Sequence, residues 1–170
     1  FSTAKRRITS ARAASAIDIA LWDLFGQFTG QPIYQMLGGA CHERMRAYNT
    51  CAGTDYNSKS VQRRLIEPGA ERVRGRYDDQ IAFIESPAEL AQSLIEEGFS
   101  AMKIWPFDGA ASQTDGQYVS AQLMQQGLKA FEKIRLAVGD RIEVMCEFHS
   151  MWNLSSALSI ARELRPYRPF

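Results

Sequence analysis

Two pairs of side chains, each spaced two residues apart, carry the chemistry expected of this sequence. They are Lys103 with Trp105 in AMKIWPF, and Glu147 with His149 in EVMCEFHSMW. A cation, a carboxylate and an imidazole can between them hold an anion, ligate a hard metal ion and move a proton. Each pair stands at the end of an apolar run. Side chains alternate along a strand, so Glu147 and His149 face one way while Cys146 and Phe148 face the other. The same parity puts Lys103 and Trp105 on one face, with Met102 and Ile104 opposite. Two readings stand at this level. Either the pairs converge at the mouth of an active site, or Lys103 and Glu147 form a structural ion pair with His149 turned to solvent. A single carboxylate does not make a metal site, because magnesium wants several oxygen ligands.

Other candidates are weaker. Tyr48 and Asn49 lie near the end of RMRAYNTCAG (44–53), a strand candidate, where either could line the same mouth. His42, in a polar turn after two glycines, reads as a surface residue. Asp18 and Asp23 read as the polar face of a helix, and Trp22, Tyr34 and Trp152 as packing residues. No Ser–His–Asp grouping and no Gly-rich phosphate turn is present.

The elements that must position these residues follow from periodicity. SARAASAIDIALWDLFGQFTG (10–30) predicts a helix with Ile17, Leu21, Leu24 and Phe28 at helical spacing and Gly30 at its end. Residues 31–39 form a short apolar turn. The stretch 54–85 is polar and irregular, and reads as a long loop. From Ser86 the pattern is regular. A helix over 86–100 has Ser86 and Glu89 as a capping box, with Leu90 and Leu94 on one face. A short strand over 101–107 is broken by Pro106, and a long helix follows over about 117–138, with Leu128, Phe131 and Ile134 on one side. The strand over 141–148 leads to a last helix over 154–164, with Leu158 and Ala161 inward. Strands alternating with helices imply parallel pairing through helical crossovers. In such folds function collects at the carboxyl ends of the strands, where both pairs stand.

The bulk composition excludes other classes. With 20 basic and 19 acidic residues in 170, the net charge of +1 offers no footprint for nucleic acid or a membrane surface. The basic clusters Lys5–Arg7 and Arg72–Arg76 read as solvated charges. No apolar run reaches membrane-spanning length. Three cysteines, Cys41, Cys51 and Cys146, without CxxC spacing argue against a disulfide framework and fit a reducing cytoplasm.

Three segments, in order, resemble one family. SAIDIALWDLFGQFTGQPIYQMLGG is similar to the helix and turn that close the lid domain in the mandelate racemase and muconate lactonizing enzyme branch of the enolase superfamily. EEGFSAMKIWPFD resembles the second barrel strand of that family, and VGDRIEVMCEFHSMWNLSSALSIARELRPY its third strand and helix. The resemblance implies an α/β fold: the end of a lid domain over residues 1–43, then the first three βα units of a modified TIM-type barrel over 44–170, with the long loop at about 54–85. Eight such units close a barrel, so an N-terminal portion of a longer enzyme is expected. The implied chemistry removes the proton α to a carboxylate through a magnesium-stabilised enediolate.

Position by position, the resemblance makes Glu147 a metal ligand where the family carries Asp. It makes Lys103 the first lysine of a Lys-x-Lys motif and puts Trp105 where the second lysine, usually the base, would stand. His149 replaces an Asn and is the candidate acid or base, while Asn49 and Trp105 are expected to contact substrate. The expected function is a magnesium-dependent acid-sugar dehydratase. A racemase or epimerase of a hydroxy acid and a non-catalytic scaffold relative are the alternatives. The expected partner is a small carboxylate substrate, in a homo-oligomer of the full-length protein, with the remaining metal ligands and the opposite base beyond Phe170.

Overall fold

The computed structural model describes residues 3–53 and 78–170, with backbone only for residues 3–9. The basic cluster Arg72–Arg76 and most of the predicted loop fall outside the described residues, as do the side chains of Lys5–Arg7. The chain divides into two compact units, Phe1–Arg46 and Ala47–Phe170.

In the first unit, helix α1 spans Thr3–Thr29 and helix α2 spans Ile33–Met36. The helix begins earlier than the apolar spacing predicts, because good helix formers such as Ala4, Lys5 and Arg6 precede it. It ends where expected. Thr29 Oγ1 donates to the Phe25 carbonyl at 2.8 Å, and Gly30 takes φ +67°, the left-handed cap that glycine adopts without a Cβ clash. Its apolar residues Ile17, Leu21, Leu24 and Phe28 are all exposed within the described chain, as is Tyr34, which does not pack as expected.

The second unit carries the functional elements. Helix α3 spans Asp79–Glu85, within the stretch expected to be loop. Asp78 caps it, with Oδ1 accepting from the Ile81 N–H at 3.1 Å. Helix α4 follows over Pro87–Glu96, with Leu90 and Leu94 buried as predicted and Gly98 at φ +93° beyond its end. The predicted capping box is not formed, since Ser86 makes no side-chain cap bond. Ser86 also closes α3, donating its N–H to Ala82, and the resulting φ −136°, ψ 57° departs from ordinary N-cap geometry.

Strand β1, Ala101–Ile104, and strand β2, Glu143–Cys146, pair in parallel, with Ala101 opposite Glu143 and Ile104 opposite Cys146. Between them run helix α5, Asp108–Thr114, and helix α6, Ala121–Val138. The short α5 was not anticipated, and it moves the start of the long helix four residues later than predicted. The 44–53 segment contributes a single parallel bridge, Asn49 to Met102, not a strand. The Asn49 side chain accepts from the Cys51 N–H and Cys51 takes φ +49°, so the chain turns away after one bridge.

Helix α7, Leu154–Leu164, buries Ser156, Ile160 and Leu164, an i, i+4, i+8 face. Leu158 and Ala161, predicted inward, are exposed. The error was one of helical phase, since Leu158 and Ala161 are three apart and either stripe satisfies the period. Phe83, Leu94, Met102, Ile104, Phe107, Phe131, Ile134 and Val144 form the core that welds α3, α4 and α6 onto the two strands. Burying each such side chain is worth about 1.5–3 kcal/mol, which fixes the strand ends that the site requires.

Candidate active site

Lys103 lies inside β1, while Glu147 follows directly on β2 and keeps the ladder going by donating its N–H to the Ile104 carbonyl at 2.9 Å. Lys103 Nζ sits 3.4 Å from Glu147 Oε2, long for a hydrogen bond but well within ion-pair range, and 5.4 Å from the centre of the Tyr48 ring. Glu147 Oε1 points the other way. It accepts from the backbone N–H groups of Phe148 and His149, each at 3.0 Å. These backbone bonds, foremost that from His149, hold the Glu147 carboxyl below its usual range despite partial burial. Burial pulls the Lys103 ammonium down, but Glu147 and Tyr48 outweigh it and the net displacement is upward. The pair is therefore charged on both sides.

After Glu147 the backbone leaves the strand. His149 takes φ +48° and Ser150 φ +56°, two adjacent non-glycine residues in the left-handed region. The reversal lays the imidazole edge-on against Trp105, with ring centres 5.5 Å apart at 72°. Trp105 is buried and meets Phe83 on another side at 5.1 Å. The strand-parity expectation thus brings Lys103 to Glu147 and Trp105 to His149. His149 is half-buried rather than turned to solvent. Asn49 sits at the edge of β1, and its side chain is engaged by Cys51 N–H at 2.6 Å and by the Asp79 carboxyl.

Sequence reasoning missed Asp108. Its Oδ2 lies 2.8 Å from His149 Nδ1, and its Oδ1 is buried without a hydrogen-bond partner among the described residues. Burial raises its carboxyl to about 6, with the nearby Glu147 carboxylate adding to the rise and His149 opposing it. The signal available was the acidic residue three positions past Trp105, after a strand-ending Pro106.

Burial works against a nucleophilic thiolate at either cysteine of the second unit. Burial pushes Cys51 up to about 12 and pushes Cys146 higher still. A cleft of about 230 Å³ opens beside Trp105 between Pro87, Gln113, Lys129 and Lys133, but Lys103, Glu147 and His149 do not line it. His42 is exposed, as predicted.

The parallel strands, the polar groups at their ends and the preceding helix-and-turn unit match known proteins along nearly the whole chain. Residues 86–170 match the enolase C-terminal domain-like family, and residues 2–38 match the mandelate racemase / muconate lactonizing enzyme N-terminal domain. The chain belongs to the mandelate racemase and muconate lactonizing enzyme branch of the enolase superfamily. Its fold class is accordingly part of a modified TIM-type barrel with lid-domain sequence before it.

A superfamily member from Agrobacterium tumefaciens, of the mandelate racemase subgroup, has a crystal structure that is 44% identical with a TM-score of 0.66. The match covers 91% of this chain and 33% of that one. An enolase from Sargasso Sea environmental sequencing is 40% identical with a TM-score of 0.70, over 94% of this chain and 34% of that one. Among curated relatives, the D-gluconate dehydratase of Thermoproteus tenax is 30% identical over 97% of this chain and 27% of its own length. The D-mannonate dehydratase of Xanthomonas oryzae is 28% identical over 98% of this chain and 38% of its own. The chain thus spans about a third of the relatives it matches.

Superfamily membership implies a divalent metal, and Glu147 suits one ligand position. It is ionised, lies at a strand end and offers oxygen to a hard cation. Among the described residues, however, no group of three or more His, Cys, Asp or Glu side chains is arranged to hold a metal. The described residues alone do not complete a magnesium site. No helix of the described residues is long and apolar enough to cross a membrane.

Proposed function

We propose that the full-length protein is a magnesium-dependent acid-sugar dehydratase. One observation carries the reading: a cation, an ionised carboxylate and a half-buried imidazole converge at the carboxyl ends of two adjacent parallel strands. The names of the relatives, a D-gluconate dehydratase, a D-mannonate dehydratase and a D-galactonate dehydratase family member, support the substrate class.

In the proposed reaction, removal of the proton α to the substrate carboxylate pushes an electron pair onto the carboxylate oxygens. Magnesium, held in part by Glu147, would supply positive charge against that developing anion. Lys103 adds a second cation on the same side. Its raised pKa suits a charge-stabilising role and opposes one as a neutral base. The abstracting base comes from elsewhere in the full-length protein. Collapse of the enediolate breaks the bond to the neighbouring hydroxyl, which takes a proton from His149 and leaves as water. The resulting enol tautomerises to a 2-keto acid. Asn49 and Trp105 border the substrate, Trp105 from behind His149.

A racemase needs acid/base groups on both faces of the carbon. The position where a second lysine would serve instead carries a buried indole, which favours dehydration. The test is His149→Asn in the full-length enzyme, assayed in deuterium oxide. Exchange of the α-proton should persist while net dehydration falls roughly 10²–10⁴-fold, the worth of a general acid. Unchanged dehydration would remove His149 from the reaction. Absence of magnesium binding to the full-length parent would favour a non-catalytic scaffold.

A further inference from the structure

We infer that Asp108 is a positioning residue for His149, and that Trp105 and Asp108 together form a mount for the imidazole at the place where the family's second lysine would stand. The inference deepens the dehydratase reading and rests on His149 as the proton donor.

Contacts from Glu147, Trp105 and Asp108 fix the position of His149. Its backbone lies in the left-handed region together with that of Ser150, an arrangement that is unfavourable for L-amino acids and persists only when its surroundings enforce it. Glu147 Oε1 enforces it from the strand side, through the Phe148 and His149 N–H groups. The turn before α6 enforces it from the other side. Asn153 donates its N–H to the Gly116 carbonyl at 3.0 Å and its Nδ2 to the Gln117 carbonyl at 2.9 Å. Ser156 Oγ joins the same Gln117 carbonyl at 3.0 Å. Gly116 fits this contact because a Cβ there would overlap the Met151 carbonyl. Trp105 sets the plane of the ring, and Asp108 sets its rotation.

Asp108 is the element that stability does not explain. A carboxylate that is only 8% exposed, with one oxygen on an imidazole and the other without a partner among the described residues, is an unfavourable arrangement. Such a group is accounted for by what it does to its partner. The Asp108 contact at Nδ1 biases the ring's tautomer and so which nitrogen carries the proton. The loss of a strand-end amine at Trp105, the gain of an imidazole at His149 and the buried Asp108 then form one linked set.

The test uses the full-length, magnesium-loaded enzyme and the variant Asp108→Asn, with His149→Asn and the double variant beside it. Asp108→Asn should lower kcat for dehydration about 10- to 100-fold, less than the roughly 10²–10⁴ a general acid itself contributes, with KM changed less than about threefold. The double variant should be no slower than His149→Asn alone. In ¹⁵N-histidine spectra, with the His149 signals assigned by their loss in His149→Asn, Asp108→Asn should shift the tautomer balance of that ring. Dehydration and tautomer both unchanged would overturn the inference, as would an Asp108 effect that multiplies with that of His149→Asn. The two readings separate cleanly. If His149→Asn leaves dehydration intact but Asp108→Asn still moves the tautomer, the acid role fails and the positioning role stands. If His149→Asn abolishes dehydration and the tautomer ignores Asp108, only the positioning role fails. Should Asp108→Asn not fold, Asp108→Ala carries the same readings.

Discussion

Replacing Asp108 by Asn keeps the side-chain volume and removes the charge that the fold buries, so the same change that slows catalysis should stabilise the protein. The carboxyl is expected to titrate near 6 in the fold against 3.8 when exposed. A raised carboxyl means that the native state holds its proton more tightly than the unfolded state. Its contribution is therefore favourable below 3.8 and is lost as pH rises through 6. The side chain is only 11% exposed, so solvent screening removes little of the effect. At roughly 1.4 kcal/mol per pH unit, the buried charge costs on the order of 1–2 kcal/mol at pH 5 and about 3 kcal/mol at pH 8. Urea unfolding of full-length parent and Asp108→Asn at these two pH values measures the difference, provided the slopes with denaturant agree. The variant should be the more stable protein, with a gap that widens from pH 5 to pH 8. A parent at least as stable at pH 8, or a gap independent of pH, refutes the reasoning. It would mean that Asp108 is solvated or fully paired in solution.

Three further outcomes are expected. Glu147→Gln keeps the acceptor for the Phe148 and His149 N–H groups but loses the charge, so magnesium-dependent turnover should fall at least about 10³-fold while the melting temperature changes little. Chelating the metal from the parent should have the same effect, and normal turnover in either experiment would exclude the ligand role. Lys103→Met should lower kcat strongly, while Lys103→Arg should retain part of it, the guanidinium being a poor geometric match for a point charge. Parental activity in Lys103→Met would reduce the residue to a structural ion pair. Gly127→Ala should destabilise by about 1–3 kcal/mol in thermal unfolding, because a Cβ there would overlap the Phe107 ring that packs against Phe148. A stabilised variant would instead mean that helix propensity outweighs this contact.

The legible part of the site was the part governed by period two. The Lys103–Glu147 contact follows from strand parity and parallel pairing: Lys103 stands opposite Met145, and Glu147 is the next residue on that same face. The meeting of His149 with Trp105 was legible for a reason that is only half right. β2 ends at Cys146, and His149 reaches Trp105 through a left-handed reversal that alternation does not encode. Asp108 was invisible for a related reason. It opens a seven-residue helix after Pro106, too short to show a helical period, and a lone acidic residue there has no distinguishing spacing. The face of α7 was misjudged because a helix with Leu158 and Ala161 on one stripe and Ile160 and Leu164 on another gives two acceptable phases. Only the packing partner chooses between them. Ser86 shows the same limit at a cap, where a residue shared by two helices satisfies the geometry of one.

The glutamate at 147 gains its meaning from the histidine two residues on. An aspartate at this strand end has one methylene fewer, and its carboxylate stays closer to its own backbone. The longer side chain lets one oxygen reach back to the N–H groups of residues 148 and 149 while the other reaches across to Lys103. The first contact holds the reversed backbone that turns the imidazole toward Trp105 and Asp108. The second keeps an anionic oxygen facing the cation, on the side where a metal and a substrate carboxylate would meet. Glu147, Trp105, Asp108 and His149 are therefore linked through contacts seen in one unit of the structure. A change at any one of them thus acts through the others.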